Sequence, residues 1–224
     1  PFPVFHYIDG AADDEVSLRR NTQAFEKVDL VPNVLKGVEN IDISVELMGK
    51  KISTPLFFSP TALQRLFHHE GEIAVGKAAE YFNTFFGISS LATASIKDVG
   101  EKFSCPKIFQ MYIHKDKGLN NSMIEKCKMN NFDALAITLD TVVGGNRERD
   151  LRTGFTSPPK LDFNSFLSYA FHPEWTLNYL FRKKFELPQL QDFVSEGTNI
   201  NISVGDYFST MLDQSITWKD IEDI

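Results

Sequence analysis

A chain of 224 residues, 42% hydrophobic and 24% charged, has the composition of a globular protein and a length that fits one α/β domain, which excludes a disordered chain. The net charge of −7 and a pI near 5.3 exclude a nucleic-acid partner held through phosphates, because that affinity needs a basic surface. No run of about 18 apolar residues is present, so no segment is expected to span a membrane, and no secretory signal opens the chain. Pro1 in place of an initiator methionine leads to the expectation of a start within a longer protein or after processing. Cys105 and Cys127 are too few and too far apart for a metal knuckle or a disulfide scaffold and read as reduced thiols.

Pro1 to Asp14 interleaves aromatic and polar side chains (Phe2, Phe5, His6, Tyr7) and reads as a lead-in that meets a turn signal at Asp9-Gly10. Asp13-Asp14-Glu15 precede a helix expected to run through Phe25, and Tyr7 taken alone reads as a half-buried core aromatic. From Val28 to Lys51 apolar residues alternate loosely. Met48-Gly49-Lys50-Lys51 predicts the turn of a small antiparallel pair, which resembles a plug at the bottom of a barrel.

From Ser53 a repeat begins. Pro55 to Phe58 predicts a strand ending in Ser59-Pro60-Thr61-Ala62, and a helix from about Gly71 to Phe82 follows, with Val75, Ala78, Ala79 and Phe82 on one face. A second strand over Thr84 to Ile88 ends in Ser89-Ser90 and leads to a short helix from Ile96 to Lys102. The third, Lys107 to Phe109, ends in Gln110-Met111-Tyr112 ahead of a helix from Leu119 to Met129. The fourth, Asp133 to Thr138, carries Ala134-Leu135-Ala136-Ile137, an apolar run suited to a strand buried on both faces. These four strand–helix units predict a (β/α) barrel. A doubly wound sheet is the competitor, but no G-x-G-x-x-G follows the first strand and no Walker A loop is present to mark a dinucleotide or NTP crevice.

In parallel α/β proteins, ligands bind at the carboxyl ends of the strands. Those ends would gather Thr61, Ser89, Gln110, Tyr112, Thr138 and Asp140 at one rim, while the Gly144-Gly145 turn delivers Arg147 and Arg149. Each alone is better explained locally, with Asp140 capping a turn and the arginines solvated. Six in phase are harder to dismiss. They offer hydroxyls, an amide and a phenol without a cluster of histidine, cysteine or carboxylate, which suits a polar heterocycle better than a metal.

The run Phe5-His6-Tyr7-Ile8-Asp9-Gly10-Ala11-Ala12-Asp13-Asp14-Glu15-Val16-Ser17-Leu18-Arg19-Arg20-Asn21 resembles the opening signature of the FMN-dependent L-2-hydroxy acid oxidases and dehydrogenases. Ser59-Pro60-Thr61-Ala62-Leu63, Ile88-Ser89-Ser90-Leu91-Ala92-Thr93, Phe109-Gln110-Met111-Tyr112, Thr138-Leu139-Asp140, Gly145-Asn146-Arg147-Glu148-Arg149-Asp150 and Ser215-Ile216-Thr217-Trp218-Lys219-Asp220-Ile221 follow in that family's order, over nearly the whole chain. The cytochrome- or quinone-linked L-lactate dehydrogenases are the nearest group.

The resemblance implies a (β/α)8 TIM barrel, of which this chain would cover about the first four β/α units plus an insertion in the fourth loop. Residues 1–52 would form the lead-in helix and hairpin, 53–155 the four units, 156–213 the insertion and 214–224 the start of the next helix. It implies FMN as cofactor, with Pro60, Thr61 and Ala62 against the flavin and Ser89, Gln110 and Thr138 hydrogen-bonding its ring or ribityl chain. Tyr7, Tyr112 and Arg147 match the residues that hold the substrate, while Ala62 and Leu91 face its side chain and set a pocket sized for L-lactate. Asp140 matches the carboxylate that orients the family's catalytic histidine, and with Tyr112 it is expected to act in catalysis. None of the five histidines sits in that histidine's motif. In the family a second half of the barrel supplies that histidine, a lysine near the flavin, a second substrate arginine and the phosphate loops. Ser59, Val142 and Ala11 depart from common family residues, and none is a proposed ligand.

The aromatic stretch Phe163 to Phe181, followed by Arg182-Lys183-Lys184, resembles the fourth-loop insertion of membrane-associated family members. It implies peripheral membrane contact through residues 163–184 at the inner face of the cell membrane, in an otherwise cytoplasmic homo-oligomer that passes electrons to a quinone or cytochrome. A lid, or a loop packed on the barrel, is the plainer explanation. The alternatives are a non-catalytic half-barrel that binds flavin or a partner protein, a glycolate- or mandelate-type enzyme, and an unrelated barrel enzyme acting on phosphorylated substrates.

Overall fold

The computed structural model describes residues 1–141, 144–155, 163–183, 185–190, 210–222 and 224, and the backbone alone within 163–166. Val142 and the stretches 156–162, 184 and 191–209 of the expected insertion lie outside the described residues. The chain opens with α1 (Phe2–Asp9), which has proline in its first turn, and α2 (Val16–Gln23). Pro1 to Asp14, expected as a lead-in, is mostly helical: Pro3, Val4 and Tyr7 turn one side inward at helical spacing, and the exposed Phe2 and Phe5 obscure that pattern in the sequence.

The expected hairpin forms from β1 (Val45–Leu47) and β2 (Lys50–Ile52), paired antiparallel with Leu47 opposite Lys50. Met48 and Gly49 both take positive φ (51° and 71°), the turn whose twist matches that of the flanking strands. Between Val28 and Ser44 no strand forms, and Leu30, Val31 and Leu35 stand 93%, 86% and 101% exposed. The loose alternation there has no partner strand among the described residues.

Four parallel strands follow in the order β3-β4-β5-β6: β3 (Phe58–Thr61), β4 (Phe86–Ser89), β5 (Lys107–Tyr112) and β6 (Ala134–Thr138). The short α3 (Gln64–Phe67) and then α4 (Glu72–Tyr81) connect the first two strands, and α5 (Ile96–Lys102) and α6 (Lys117–Met129) connect the rest. Capping places the helix starts. Ser95 Oγ accepts from the Asp98 amide at 3.0 Å, and Asp116 Oδ1 accepts from those of Gly118 and Leu119 at 2.7 and 3.1 Å. The Asp116 cap starts α6 at Lys117, two positions before the expected Leu119.

β3 lies later than expected, so Pro60 sits inside the strand rather than after it. Pairing with β4 is irregular between Phe58 and Thr61, which suits a residue without an amide hydrogen. Gly87 permits the approach: a Cβ there would lie 2.7 Å from Pro60 N and 2.8 Å from the Phe58 carbonyl oxygen.

Period-two alternation then divides the sheet's side chains. Phe86, Ile88, Phe109 and Met111, with Leu135 and Ile137, join Ala79, Val99 and Met123 of the covering helices in the main core. Phe85, Ile108, Ala134 and Ala136 take the opposite face, where Ile52 of the hairpin, 1% exposed, fills the bottom as the plug reading expects. Lys50 Nζ meets Asp133 Oδ1 at 3.0 Å on the same end. The same parity carries Ser89, Gln110, Tyr112 and Thr138 onto the inner face near the strands' carboxyl ends. Four consecutive units with an inner face and a helical outer layer are the half-turn of a barrel.

Cys105 and Cys127 are both free and buried, and burial pushes their thiols up to about 11 and about 12. Neither is expected to react with a thiol reagent in the native protein at neutral pH, and both should label in denaturant. Stoichiometric native labelling would contradict the placement of both.

Candidate active site

At the rim the expected side chains form one connected run. Ser89 Oγ donates to Gln110 Oε1 at 3.0 Å, and Gln110 Nε2 donates to Thr138 Oγ1 at 2.7 Å, crossing β4, β5 and β6. The Leu91 amide donates to Ser89 Oγ at 3.1 Å, so the serine is held on both sides. Ser89 and Gln110 are buried and Thr138 is half-buried. Among the described residues this leaves the second Gln110 amide hydrogen and the Thr138 hydroxyl hydrogen to donate inward. That donor set fits the oxygen- and nitrogen-rich edge of an isoalloxazine ring, so Ser89, Gln110 and Thr138 would hold FMN's ring with no metal required. Pro60 and Ala62 are half-buried beside the run and Thr61 is exposed, its Oγ1 accepting from Gln64 Nε2 at 2.7 Å. The Leu63 amide donates to the Leu91 carbonyl at 3.1 Å, which brings the Ala62 and Leu91 segments side by side; Leu91 itself is 6% exposed within the main core.

Three segments far apart in sequence deliver the remaining groups. α1 presents Tyr7, β5 ends in Tyr112, and Arg147 caps the start of α7 (Glu148–Thr153), a helix not foreseen from sequence. The Tyr7 ring stacks on Phe155 at 4.1 Å, and the Arg147 guanidinium lies over it at 4.6 Å from the centroid. Burial raises the Tyr7 phenol against the pull of Arg147, with Asp150 adding to the rise. Burial also raises the Tyr112 phenol, and the neighbouring Tyr7 and Asp140 push the same way. Both phenols therefore stay protonated donors above the ordinary tyrosine range. Asp140 is exposed at the end of β6. Replacing it, Asp140→Asn, should lower the Tyr112 titration toward the ordinary value, read as phenolate absorbance against Tyr112→Phe. An unmoved titration would separate Asp140 from Tyr112.

The structure adds Asp150, which the sequence reading quotes only as part of a motif. It is 9% exposed and takes Arg147 Nε on Oδ2 at 2.5 Å and Nη2 on Oδ1 at 3.3 Å. Arg147 Nη2 also donates to the Tyr7 carbonyl, so two of the guanidinium's three nitrogens are held by the protein and Nη1 remains for a ligand among the described residues. An acid three residues after the arginine is the signal that could have found it. Arg149, the other cation of this turn, pairs with Asp9 at 2.7 Å and with Glu15, and so ties the N-terminal segment down. Among the described residues no group of histidine, cysteine and carboxylate could hold a metal ion.

The fourth-loop segment forms α8 (Phe163–Ala170) and α9 (Pro173–Phe181). Trp175 Nε1 donates to the Leu66 carbonyl at 2.8 Å and Ser168 Oγ accepts from the Phe2 amide at 2.8 Å, so the pair is packed on α3 and α1. Its outer side leaves Phe171, Leu177, Leu180 and Phe181 exposed by 80%, 55%, 65% and 78%. No helix among the described residues is long and apolar enough to cross a membrane. After residue 209 the chain returns to the rim, where the Asp213 amide donates to the Ile113 carbonyl at 2.9 Å. Thr217 donates twice to Asp220 Oδ2, at 2.8 and 2.7 Å, to start α10 (Trp218–Glu222) as the sequence pattern predicts.

The chain has relatives among known proteins over nearly its whole length. The L-lactate dehydrogenase of Alcaligenes faecalis is 33% identical over 223 residues, 99% of this chain and 58% of that protein. The glycolate oxidase of Spinacia oleracea is 30% identical over 221 residues, 99% of this chain and 54% of its own length. Among solved structures, a monotopic membrane protein, (S)-mandelate dehydrogenase, matches with a TM-score of 0.88 at 28% identity, covering 99% of this chain and 58% of that one. The chain spans a little over half the length of these relatives. The FMN-dependent dehydrogenase family matches residues 1–224, and the chain belongs to that family.

Proposed function

We propose that the whole protein oxidises L-lactate to pyruvate at FMN and passes the electrons to a quinone or cytochrome. The observation that carries this is the convergence of Tyr7, Tyr112 and Arg147 beside the Ser89–Gln110–Thr138 run. When bound, FMN supplies the two-electron acceptor for C2 of the substrate. The chain's own residues do the positioning. Arg147 Nη1 offers a charge-assisted donor to the substrate carboxylate, and Asp150 fixes the guanidinium from behind. The protonated phenols of Tyr7 and Tyr112 donate to the carboxylate and the C2 oxygen. Asp140, exposed at the end of β6, would orient a proton-accepting imidazole and stabilise its charged form, the role the resemblance gives it.

L-lactate is favoured by the residue types at Ala62 and Leu91, which the resemblance sets against the substrate's side chain and which there would leave room for a methyl group, and by the lactate dehydrogenases among the relatives. A mandelate-type substrate is the second reading, favoured by the closeness of the fold to (S)-mandelate dehydrogenase. Steady-state rates with L-lactate, glycolate and L-mandelate decide between them. L-lactate should show the highest kcat/KM, with 2-hydroxybutyrate weaker by about 1–3 kcal/mol for its extra methylene. Mandelate in first place would overturn the Ala62–Leu91 argument. The exposed apolar face of α8 and α9 supports peripheral contact with the inner face of the cell membrane, where a lipid-soluble acceptor is reached.

A further inference from the structure

A cavity of about 440 Å³ opens between α3 and the start of α9, and none of its lining residues belongs to the rim described above. Its size is that of a small-molecule site. Arg65, His68, His69, His172 and Lys183 line it, with Glu174 the single lining carboxylate among the described residues. Lys183 also pairs with Asp98 at 3.3 Å, so an entering phosphate would compete with that carboxylate for the ammonium, and the three histidines add proton-accepting groups at the same opening.

The site is built rather than incidental. Arg65 is 9% exposed; its Nη1 donates to the Thr93 carbonyl at 2.6 Å, while its buried Nε has no hydrogen-bond partner among the described residues. A buried guanidinium nitrogen left unmatched is costly, and because Nε has no accessible surface a ligand completes it only if the side chain turns toward the cavity. Gly71 leaves room for the side chain, because at φ +52° a Cβ there would lie 2.7 Å from Arg65 Cγ. The N-terminus of the nine-residue α9 opens on the same cavity, its His172 cap making no side-chain bond to the helix amides, so its positive end also favours an anion. Trp175 and Tyr179, stacked at 5.0 Å, supply an apolar wall. On the same helix Leu177, Leu180 and Phe181 repeat at the spacing of one face and point to solvent.

We propose that this cavity takes the phosphate-bearing headgroup of an anionic phospholipid, with Leu177, Leu180 and Phe181 entering the apolar edge of the same lipid surface. The inference rests on the membrane contact proposed above and deepens it by naming the lipid class. An apolar stripe alone binds any bilayer surface, whereas a cationic pocket beside it discriminates by headgroup charge.

Co-sedimentation of the purified protein with phosphatidylcholine vesicles, and with mixed phosphatidylcholine–phosphatidylglycerol vesicles, tests this. The mixed vesicles should bind more tightly. Lys183→Gln should lower that affinity about fivefold, leaving neutral vesicles unaffected, and His69→Gln should lower it further. Lys128→Gln on the solvent side of α6 removes the same charge and should change neither. Leu177→Ser with Phe181→Ser should abolish binding to both vesicles. Equal binding to neutral and mixed vesicles would overturn the headgroup site while leaving the membrane contact standing, whereas binding to neither would sink both. An equal loss in Lys128→Gln would reduce the effect to overall charge and overturn the proposal. Glycerol phosphate that perturbs the histidine resonances where vesicles do not would assign the cavity to a soluble phosphate ester and overturn it as well.

Discussion

Arg147→Met in the whole enzyme should raise KM for a 2-hydroxy acid and lower kcat, with kcat/KM falling by about 1.5–3 kcal/mol, roughly 10- to 150-fold. The thioether keeps the length and some of the packing over the Tyr7 ring but removes every donor. The substrate carboxylate loses its charged partner, and the Asp150 carboxylate is left without its two guanidinium contacts. Arg147→Lys separates these effects, since an ammonium can still reach Asp150 but cannot present a planar fork. It should recover stability more than turnover. A fall in kcat/KM of less than about threefold for Arg147→Met would remove Arg147 from the substrate site. Arg149 is a poor substitute clamp because Asp9 and Glu15 already hold it.

Phe109→Ala should cost about 3–5 kcal/mol of stability, measured as the shift of the urea midpoint. The ring is fully buried in the main core and meets Phe132 edge-on at 6.1 Å, so truncation leaves a cavity among side chains from β5 and the helices. The adjacent Gln110→Ala makes the contrast. Its side chain lies on the other face, where it joins Ser89 to Thr138, so stability should change much less and FMN affinity should fall. If the two variants exchanged effects, the division of β5 into a core face and a ligand face would be wrong.

The barrel units and the bottom hairpin were legible in the residues because they rest on local periodicity: Val75, Ala78 and Ala79 along one helix face, Ala134 to Ile137 through a strand, and Met48-Gly49 at a turn; Phe82, the fourth expected member of that face, instead follows the helix end and stands 57% exposed. The strand-end residues Ser89, Gln110 and Thr138 were legible for the same reason, whereas the extents of β3 and β5 and the Asp116 cap of α6 were not. The convergence of Tyr7 and Tyr112 on Arg147 was not, since it joins residues more than a hundred positions apart, and the resemblance alone suggested it. Nor was the strand position of Pro60, which depends on the missing Cβ of Gly87 across the sheet. The sequence alone could say that Arg147 and Arg149 share a turn and a charge. Only the tertiary structure decided that Asp9 and Glu15 neutralise one while Asp150 aims the other, because the energy of a cation is set by which carboxylates the fold brings within hydrogen-bonding distance.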